Sequence, residues 1–277
     1  MFTKGDFHLH TNASDGGYSP SQVVKIALDN KYNIISITDH DTLEGLDEAI
    51  ESGNSQGVKV IPGIELSTRH NNENIHLLGY FKNESYKDPS LKDFLQDMKN
   101  SRYERAKMII QNLKKYFNID VDYNKMLKSS KGIIARPHIA KAILDAGYNY
   151  SWEYIFKNIL SEDSKAYVPT KKISTKDGID ILKKSEALVV LAHPVLIKNS
   201  TLDEMLQFPF DGLEAIYPLN SKDDEHNLKL ISKKYEKFIT AGSDFHGIDS
   251  KDNTHGKLGD ISLTGPALQN FLTIYFS

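Results

Sequence analysis

Imidazole and carboxylate groups sit at the ends of short apolar runs all along this chain, and any fold it adopts has to accommodate that placement. Asp6-Phe7-His8-Leu9-His10 is followed by Asp15, then Ile34-Ile35-Ser36-Ile37-Thr38-Asp39-His40, then Val58-Lys59-Val60-Ile61-Pro62-Gly63-Ile64-Glu65. His76 lies in Asn74-Ile75-His76-Leu77-Leu78, and Leu188-Val189-Val190-Leu191-Ala192-His193 and Phe238-Ile239-Thr240-Ala241-Gly242-Ser243-Asp244-Phe245-His246 repeat the scheme late in the chain. Parallel strands deliver their C-terminal ends to one face. Strand-length runs alternating with amphipathic helices therefore predict a parallel α/β sheet or barrel with its polar residues at one mouth.

The alternation can be followed in detail. Ser19-Pro20 predicts an N-cap with proline at the first helical position, and Val23, Ile26 and Ala27 supply the buried stripe. A strand over Ile34–Thr38, a helix over Leu43–Ser52, a strand over Val58–Leu66 and a fourth strand over Ile75–Phe81 follow. The rhythm then breaks. Leu91, Phe94, Leu95, Met98, Ile109, Leu113 and Phe117 are spaced for one face of a long helix, and shorter helical patterns cover Ala135–Ala146 and Ser151–Leu160. Alternation resumes at Ser174–Ser185, Leu188–His193, Leu213–Ile216 and Ile239–Asp244. The expectation is about seven barrel strands from residues 1–89 and 171–277, with a helical insertion at 90–170 lying over the active site. His76 fits poorly, because it comes near the start of its strand pattern and would have to arrive from a preceding loop.

Composition narrows the function. A chain of 277 residues with 39% apolar content can bury a core, and a net charge of −3 offers no general attraction to nucleic acid or anionic membrane. With no cysteine there is no disulfide, thiolate nucleophile or zinc finger. No apolar run approaches the roughly 20 residues that span a bilayer, and no apolar leader precedes the first strand. The cytoplasm is the expected compartment, with neither a membrane nor a DNA-binding surface among the expected partners.

His8 and His10 are two residues apart, so on a strand both rings point to one side and can take one ion together. One such pair arises readily by chance; a whole series of strand ends or loops bearing His and carboxylate groups points to a multinuclear metal site. His8-Leu9-His10, Asp15-Gly16, Thr38-Asp39-His40-Asp41, Gly63-Ile64-Glu65, His193-Pro194 and Ser243-Asp244-Phe245-His246 resemble, in order and spacing, the motifs of the PHP (polymerase and histidinol phosphatase) family. The resemblance implies a distorted (β/α)7 TIM-like barrel and a site for up to three divalent ions. Carried over by motif, His8, His10, Glu65 and Asp244 hold one ion. Glu65, as a bridge, holds a second with His76 and His193, and Asp15, His40 and His246 hold the third. Arg136-Pro137-His138-Ile139-Ala140 and Ala166-Tyr167-Val168-Pro169 are similar to the insertion of the branch that includes nucleoside 3′,5′-bisphosphate phosphatases and oligoribonucleases.

These readings converge on a phosphoric ester hydrolase. Closely spaced cations neutralise phosphoryl charge and bring a bound water near neutrality in pKa, so the nucleophile is assigned to metal-bound hydroxide, with Glu65 a structural bridge. The expected substrate is a nucleoside 3′,5′-bisphosphate, or short 5′-phosphorylated RNA, with Arg136 and His138 holding the phosphate that is not cleaved. The expected ions are two to three Mn2+, with Zn2+ or Fe2+ as alternatives. Rival readings are a histidinol-phosphate-type phosphomonoesterase, an amidohydrolase and a non-catalytic metal-stabilised module. Asp39 and Asp41 could orient ligands or cap a loop. His226 is expected to be a solvated residue at a helix start and His70 part of a polar turn, while His255 and the pair Lys171-Lys172 carry no assignment.

Overall fold

The computed structural model describes residues 2–129, 134, 136–169, 173–247 and 255–277. The chain falls into two compact units, Met1–Lys92 with Lys172–Ser277, and Asp93–Lys171. In chain order the first unit opens with β1 (Lys4–Leu9), α1 (Pro20–Asp29), β2 (Ile34–Ile37), α2 (Leu46–Gln56), β3 (Lys59–His70) and β4 (Glu73–Phe81). The helical stretch follows as α3 (Pro89–Phe117), α4 (Tyr123–Ser129), α5 (Arg136–Asp145) and α6 (Trp152–Tyr154), the last continuing into one π-helical turn at Ile155–Ile159. The first unit is then completed by α7 (Thr175–Lys184), β5 (Ala187–Leu191), α8 (Leu202–Met205), β6 (Gly212–Ile216), α9 (Lys222–Lys234), β7 (Phe238–Ala241), β8 (Leu263–Thr264) and α10 (Gly265–Phe276).

Local chemistry starts α1 where the sequence indicates. Ser19 Oγ accepts the Gln22 N–H while the Gln22 side chain accepts the Ser19 N–H, and Pro20 occupies a position with no intrahelical donor to lose. Val23, Val24 and Ala27 are buried, and α1 and α2 form the two crossovers that make β1, β2 and β3 parallel.

Among the described residues the strands form one sheet in the order β7-β6-β5-β4-β3-β2-β1-β8. It curls until its ends nearly meet: Leu9 and Phe245 form a parallel bridge, with the His10 N–H donating to the Phe245 carbonyl at 2.9 Å. This is the expected barrel with two corrections. First, β4 is antiparallel to both β3 and β5, because β3 and β4 are a hairpin turned at Asn71 and Asn72, whose φ values are +43° and +61°. The start of β4 therefore reaches the same end of the barrel as the finishes of its antiparallel neighbours β3 and β5. His76 sits within the strand, opposite Ser67, and no loop has to deliver it. Second, the chain after residue 260 adds β8, antiparallel to β1, and α10.

The aromatic core lies away from the histidine end. Phe271 of α10 meets Phe7 edge-on at 4.7 Å and Tyr80 at 5.4 Å, and Tyr275 Oη donates to the Phe81 carbonyl at 2.6 Å. Burying each such ring is worth about 1.5–3 kcal/mol, so α10 secures the end where β7 begins and β4 finishes. The second unit has its own core of Ile109, Leu113, Ile119, Ile139, Ile143, Ile155 and Ile159. Among the described residues no helix is long and apolar enough to cross a membrane.

Gly242, just past β7, marks the tightest approach in the barrel. A Cβ there would lie 2.2 Å from both the His8 Cβ and Glu214 Oε1. Gly242→Ala is expected to cost about 1–3 kcal/mol in urea unfolding, and unchanged stability would show that the walls can part at this point.

Candidate metal centre

Glu65 is the hub of the site, with only 1% of its surface exposed. Its Oε1 stands 2.8 Å from His76 Nδ1 and 3.1 Å from His193 Nε2. Its Oε2 stands 3.1 Å from His8 Nε2, 3.2 Å from His10 Nε2 and 3.1 Å from His40 Nδ1. Strand periodicity produces this arrangement. Glu65 and Ser67 share a face of β3, and Ser67 pairs with His76, so His76 is the diagonal cross-strand neighbour of Glu65. His40 reaches the carboxylate because residues 39–41 extend the ladder beside β3, with Glu65 N–H donating to the Asp39 carbonyl and Asp41 N–H to the Glu65 carbonyl.

The donor atoms fit a cation. His8 Nε2 and His10 Nε2 lie 3.4 and 3.1 Å from Asp244 Oδ1, besides their approach to Glu65 Oε2. Ligands held about 2.1 Å from one ion stand roughly 3.0–3.5 Å apart. Among the described residues these four atoms are buried and have no hydrogen-bond partner, an expensive arrangement that a divalent ion would relieve. Donors of Asp15, His10, His40 and His246 form a second group, and those of His40, Glu65 and His76 a third. Eight of the nine residues carried over by motif fall in these groups, and the ninth, His193, joins them through its 3.1 Å approach to Glu65 Oε1. The grouping differs in detail: His10 joins the Asp15 group, and His40 faces Glu65 through Nδ1 and Asp15 through Nε2, the latter at 3.8 Å.

Behind the donors stands a layer the sequence reading missed. Glu214 on β6 is fully buried; its Oε1 lies 2.9 Å from His8 Nδ1 and its Oε2 accepts the His193 N–H at 2.8 Å. Such a carboxylate behind an imidazole fixes the ring and makes it a better ligand. Tyr217 Oη donates to Asp244 Oδ2 at 2.9 Å, and Asp6 Oδ1 accepts from Ser243 N at 3.1 Å, tying β1 to the segment after β7. The signal for Glu214 was available as a lone carboxylate inside the apolar run Leu213-Glu214-Ala215-Ile216. Asp39 has the loop role, accepting from both Thr11 N and Thr11 Oγ1 at 2.7 Å, and Asp41 accepts from Ser67 N at 2.7 Å. His193 and Asp244 hold φ of +27° and +53°, strained values for non-glycine residues that aim side chains back into the cluster.

The remaining candidates are accounted for separately. Arg136 and His138 stand on the first turn of α5 in the second unit, Arg136 exposed and His138 half-buried. The second unit also holds Arg105, overlooked in the sequence, whose Nε donates to the Val168 carbonyl at 2.7 Å. Burial, and then the positive charges of Arg136 and Arg102, pull its pKa below the usual guanidinium value. His226 is exposed on α9, as expected of a solvated residue, and His70 pairs with Glu73 beside the Asn71–Asn72 turn. His255 lies beside His246, their rings 4.0 Å apart. Lys171-Lys172 lies outside the described residues.

Charge inside the cluster couples ion uptake to pH. Burial pushes the Glu65 carboxyl up, but the imidazoles of His40, His8 and His76 prevail and hold it well below its ordinary range. Burial opposes charge on His10, yet Asp244 and Glu65 raise it to about 10, and His8 is raised too. Without ions, His10 therefore holds a proton at neutral pH and His8 is biased the same way, so loading must displace protons. Calorimetry in buffers of different ionisation enthalpy should detect net proton release on metal binding, and affinity should fall as the pH is lowered; uptake without proton release would contradict this. Glu214→Gln should weaken the tightest ion by about 10–100-fold in chelator competition, while unchanged affinity would deny it the positioning role.

Comparison with known proteins agrees with this chemistry. The PHP domain family matches residues 6–166. The 5′-3′ exoribonuclease Rnm of Salmonella typhimurium is 28% identical over 249 residues, covering 87% of this chain and 84% of that protein. The 3′,5′-nucleoside bisphosphate phosphatase of Chromobacterium violaceum is 26% identical over 249 residues, covering 87% and 86%. A solved structure from Bifidobacterium adolescentis, described as a metal-dependent phosphoesterase, superposes with a TM-score of 0.79 at 27% identity over 97% of this chain and 95% of that one. A buried imidazole–carboxylate cluster at one end of a nearly closed barrel, in a chain matched by that family over most of its length, has one explanation: this protein belongs to the PHP domain family and is a metal-dependent hydrolase of phosphoric esters.

Proposed function

We propose that the chain hydrolyses the 3′-phosphate ester of nucleotides that also carry a 5′-phosphate. Nucleoside 3′,5′-bisphosphates are the principal substrate and short 5′-phosphorylated RNA a related one. The observation that carries this reading is the guanidinium cluster of the second unit. Arg105 is positioned by the Val168 carbonyl and repelled by Arg136 and Arg102, while Glu162 and Tyr167 act on it in the opposite sense. An anion relieves that repulsion, and planar guanidinium groups match phosphate oxygens in pairs. Similarity to a bisphosphate phosphatase and to an exoribonuclease supports the same substrate class.

In this reading His8, His10, Glu65 and Asp244 hold one ion, Glu65, His76 and His193 a second, and Asp15, His40 and His246 a third, with Mn2+ the expected metal. Bound there, divalent ions supply positive charge against the phosphoryl oxygens and acidify water. The chain's own residues do the rest. Glu65, ionised and enclosed by imidazoles, bridges rather than takes a proton. Glu214 and Tyr217 hold His8 and Asp244 in place, and Arg136 with His138 grips the phosphate that stays.

The test is phosphate release from adenosine 3′,5′-bisphosphate by metal-stripped protein with and without Mn2+, beside adenosine 5′-monophosphate, histidinol phosphate and a simple amide. Manganese-dependent release from the bisphosphate in preference to both monophosphates is expected. Arg136→Ala should raise KM about 10–100-fold with a smaller effect on kcat, since charge-assisted hydrogen bonds are worth about 1.5–3 kcal/mol. Equal turnover of all three phosphate esters would remove the two-phosphate preference, and turnover of the amide alone would replace the reaction class.

A further inference from the structure

His255 has no place in the ligand sets above, yet the chain is built to bring it to them. We propose that His255 is an additional imidazole ligand for a divalent ion on the His246 side of the cluster, where Asp244, His246 and His255 form a donor group of their own. The proposal rests on the metal reading of the cluster and extends it to a residue of this chain that the nine motif positions do not include.

Three observations place it there. The donor atoms of Asp244, His246 and His255 lie within 4.8 Å of one another, and the rings of His246 and His255 are 4.0 Å apart, tilted by 30°. The backbone beside His255 is pinned, because the Gly256 N–H donates to the Ser243 carbonyl at 2.8 Å, next to Asp244. That approach needs glycine: a Cβ on residue 256 would meet the Ser243 carbonyl oxygen and Pro218 Cγ, each at 2.6 Å. Residue 256 is thus anchored beside the last ligand segment, with the His255 ring next to His246.

That side of the cluster is also the more open one. Asp15 leaves 43% of its side chain exposed where Glu65 leaves 1%, so an ion there is held by a more hydrated and mobile carboxylate than its neighbours. His246 is directed toward it, its Nε2 lying 3.3 Å from Asp15 Oδ1 while its Nδ1 faces the Asp244 carbonyl at 2.9 Å. A half-buried imidazole beside His246 offers a further nitrogen donor. The competing role is ring stacking on His246, which would need the ring of His255 and not its nitrogens.

The experiment titrates metal-stripped protein with Mn2+ alone and follows free Mn2+ by electron paramagnetic resonance, in the wild type, His255→Ala and His255→Phe. Phenylalanine keeps a ring to stack on His246 and offers no donor. The expected result is that the more tightly bound ions are unchanged in both variants, while the weakest ion is bound at least about tenfold less tightly. Wild-type affinity for every ion in the Phe variant would overturn the ligand role and leave stacking. Loss of all ions from both variants, with unaltered circular dichroism, would also overturn it, since His255 would then not belong to one position. A wild-type protein that binds no Mn2+ would sink the metal reading itself, whereas ion binding indifferent to His255 would sink only this inference.

Discussion

A carboxylate buried inside a barrel is costly unless positive charge surrounds it, and in this protein Glu65 carries that cost for the whole site. Five imidazoles approach its two oxygens, from β1, from the extension of β2, from β4 and from the segment after β5. An ionised carboxyl in such a place is worth several kcal/mol of penalty when unpaired, and imidazoles alone compensate only by holding protons. Divalent cations resolve the conflict more completely, because they let the histidines be neutral ligands and the carboxylates remain charged. The packing around Glu65 is arranged to have that charge present, and phosphate ester chemistry uses the same charge.

The supporting residues explain why the donors stay convergent. Glu214 links two walls of the barrel by holding His8 from β1 and the backbone of His193 after β5. Asp39 organises the turn at Thr11 and Ser14 just before Asp15, so the most exposed donor still rests on a buried anchor. Gly242 makes room for the close approach of β7 to His8 and Glu214. These contacts are distant in sequence, by 206 positions for His8 and Glu214. The site is therefore a product of barrel closure and not of any one loop.

Much of this was legible in the sequence, for a physical reason. A side-chain period of two puts His8 and His10 on one side, and strand ends in a parallel barrel converge, so the pattern of ligands after apolar runs reads directly as a cluster. His76 was harder, because an apolar run does not state its direction. Asn71-Asn72 marks a hairpin turn, and only the antiparallel pairing that follows turns the start of β4 toward the ligands. Glu214, Tyr217 and Arg105 were not singled out because their partners lie far along the chain, and a single polar residue in a strand or helix has many uses. The strand β8 and helix α10 went unread since a two-residue strand has no periodicity to detect.

The central claim is that Glu65 bridges divalent ions, and crystallography at a metal absorption edge tests it most directly. Crystals equilibrated with Mn2+ and measured at the manganese edge should show anomalous density on both sides of the Glu65 carboxylate. One peak should lie among His8, His10 and Asp244 and another beside His76 and His193. Density on one side only, or none within ligand distance of Glu65, would contradict the account.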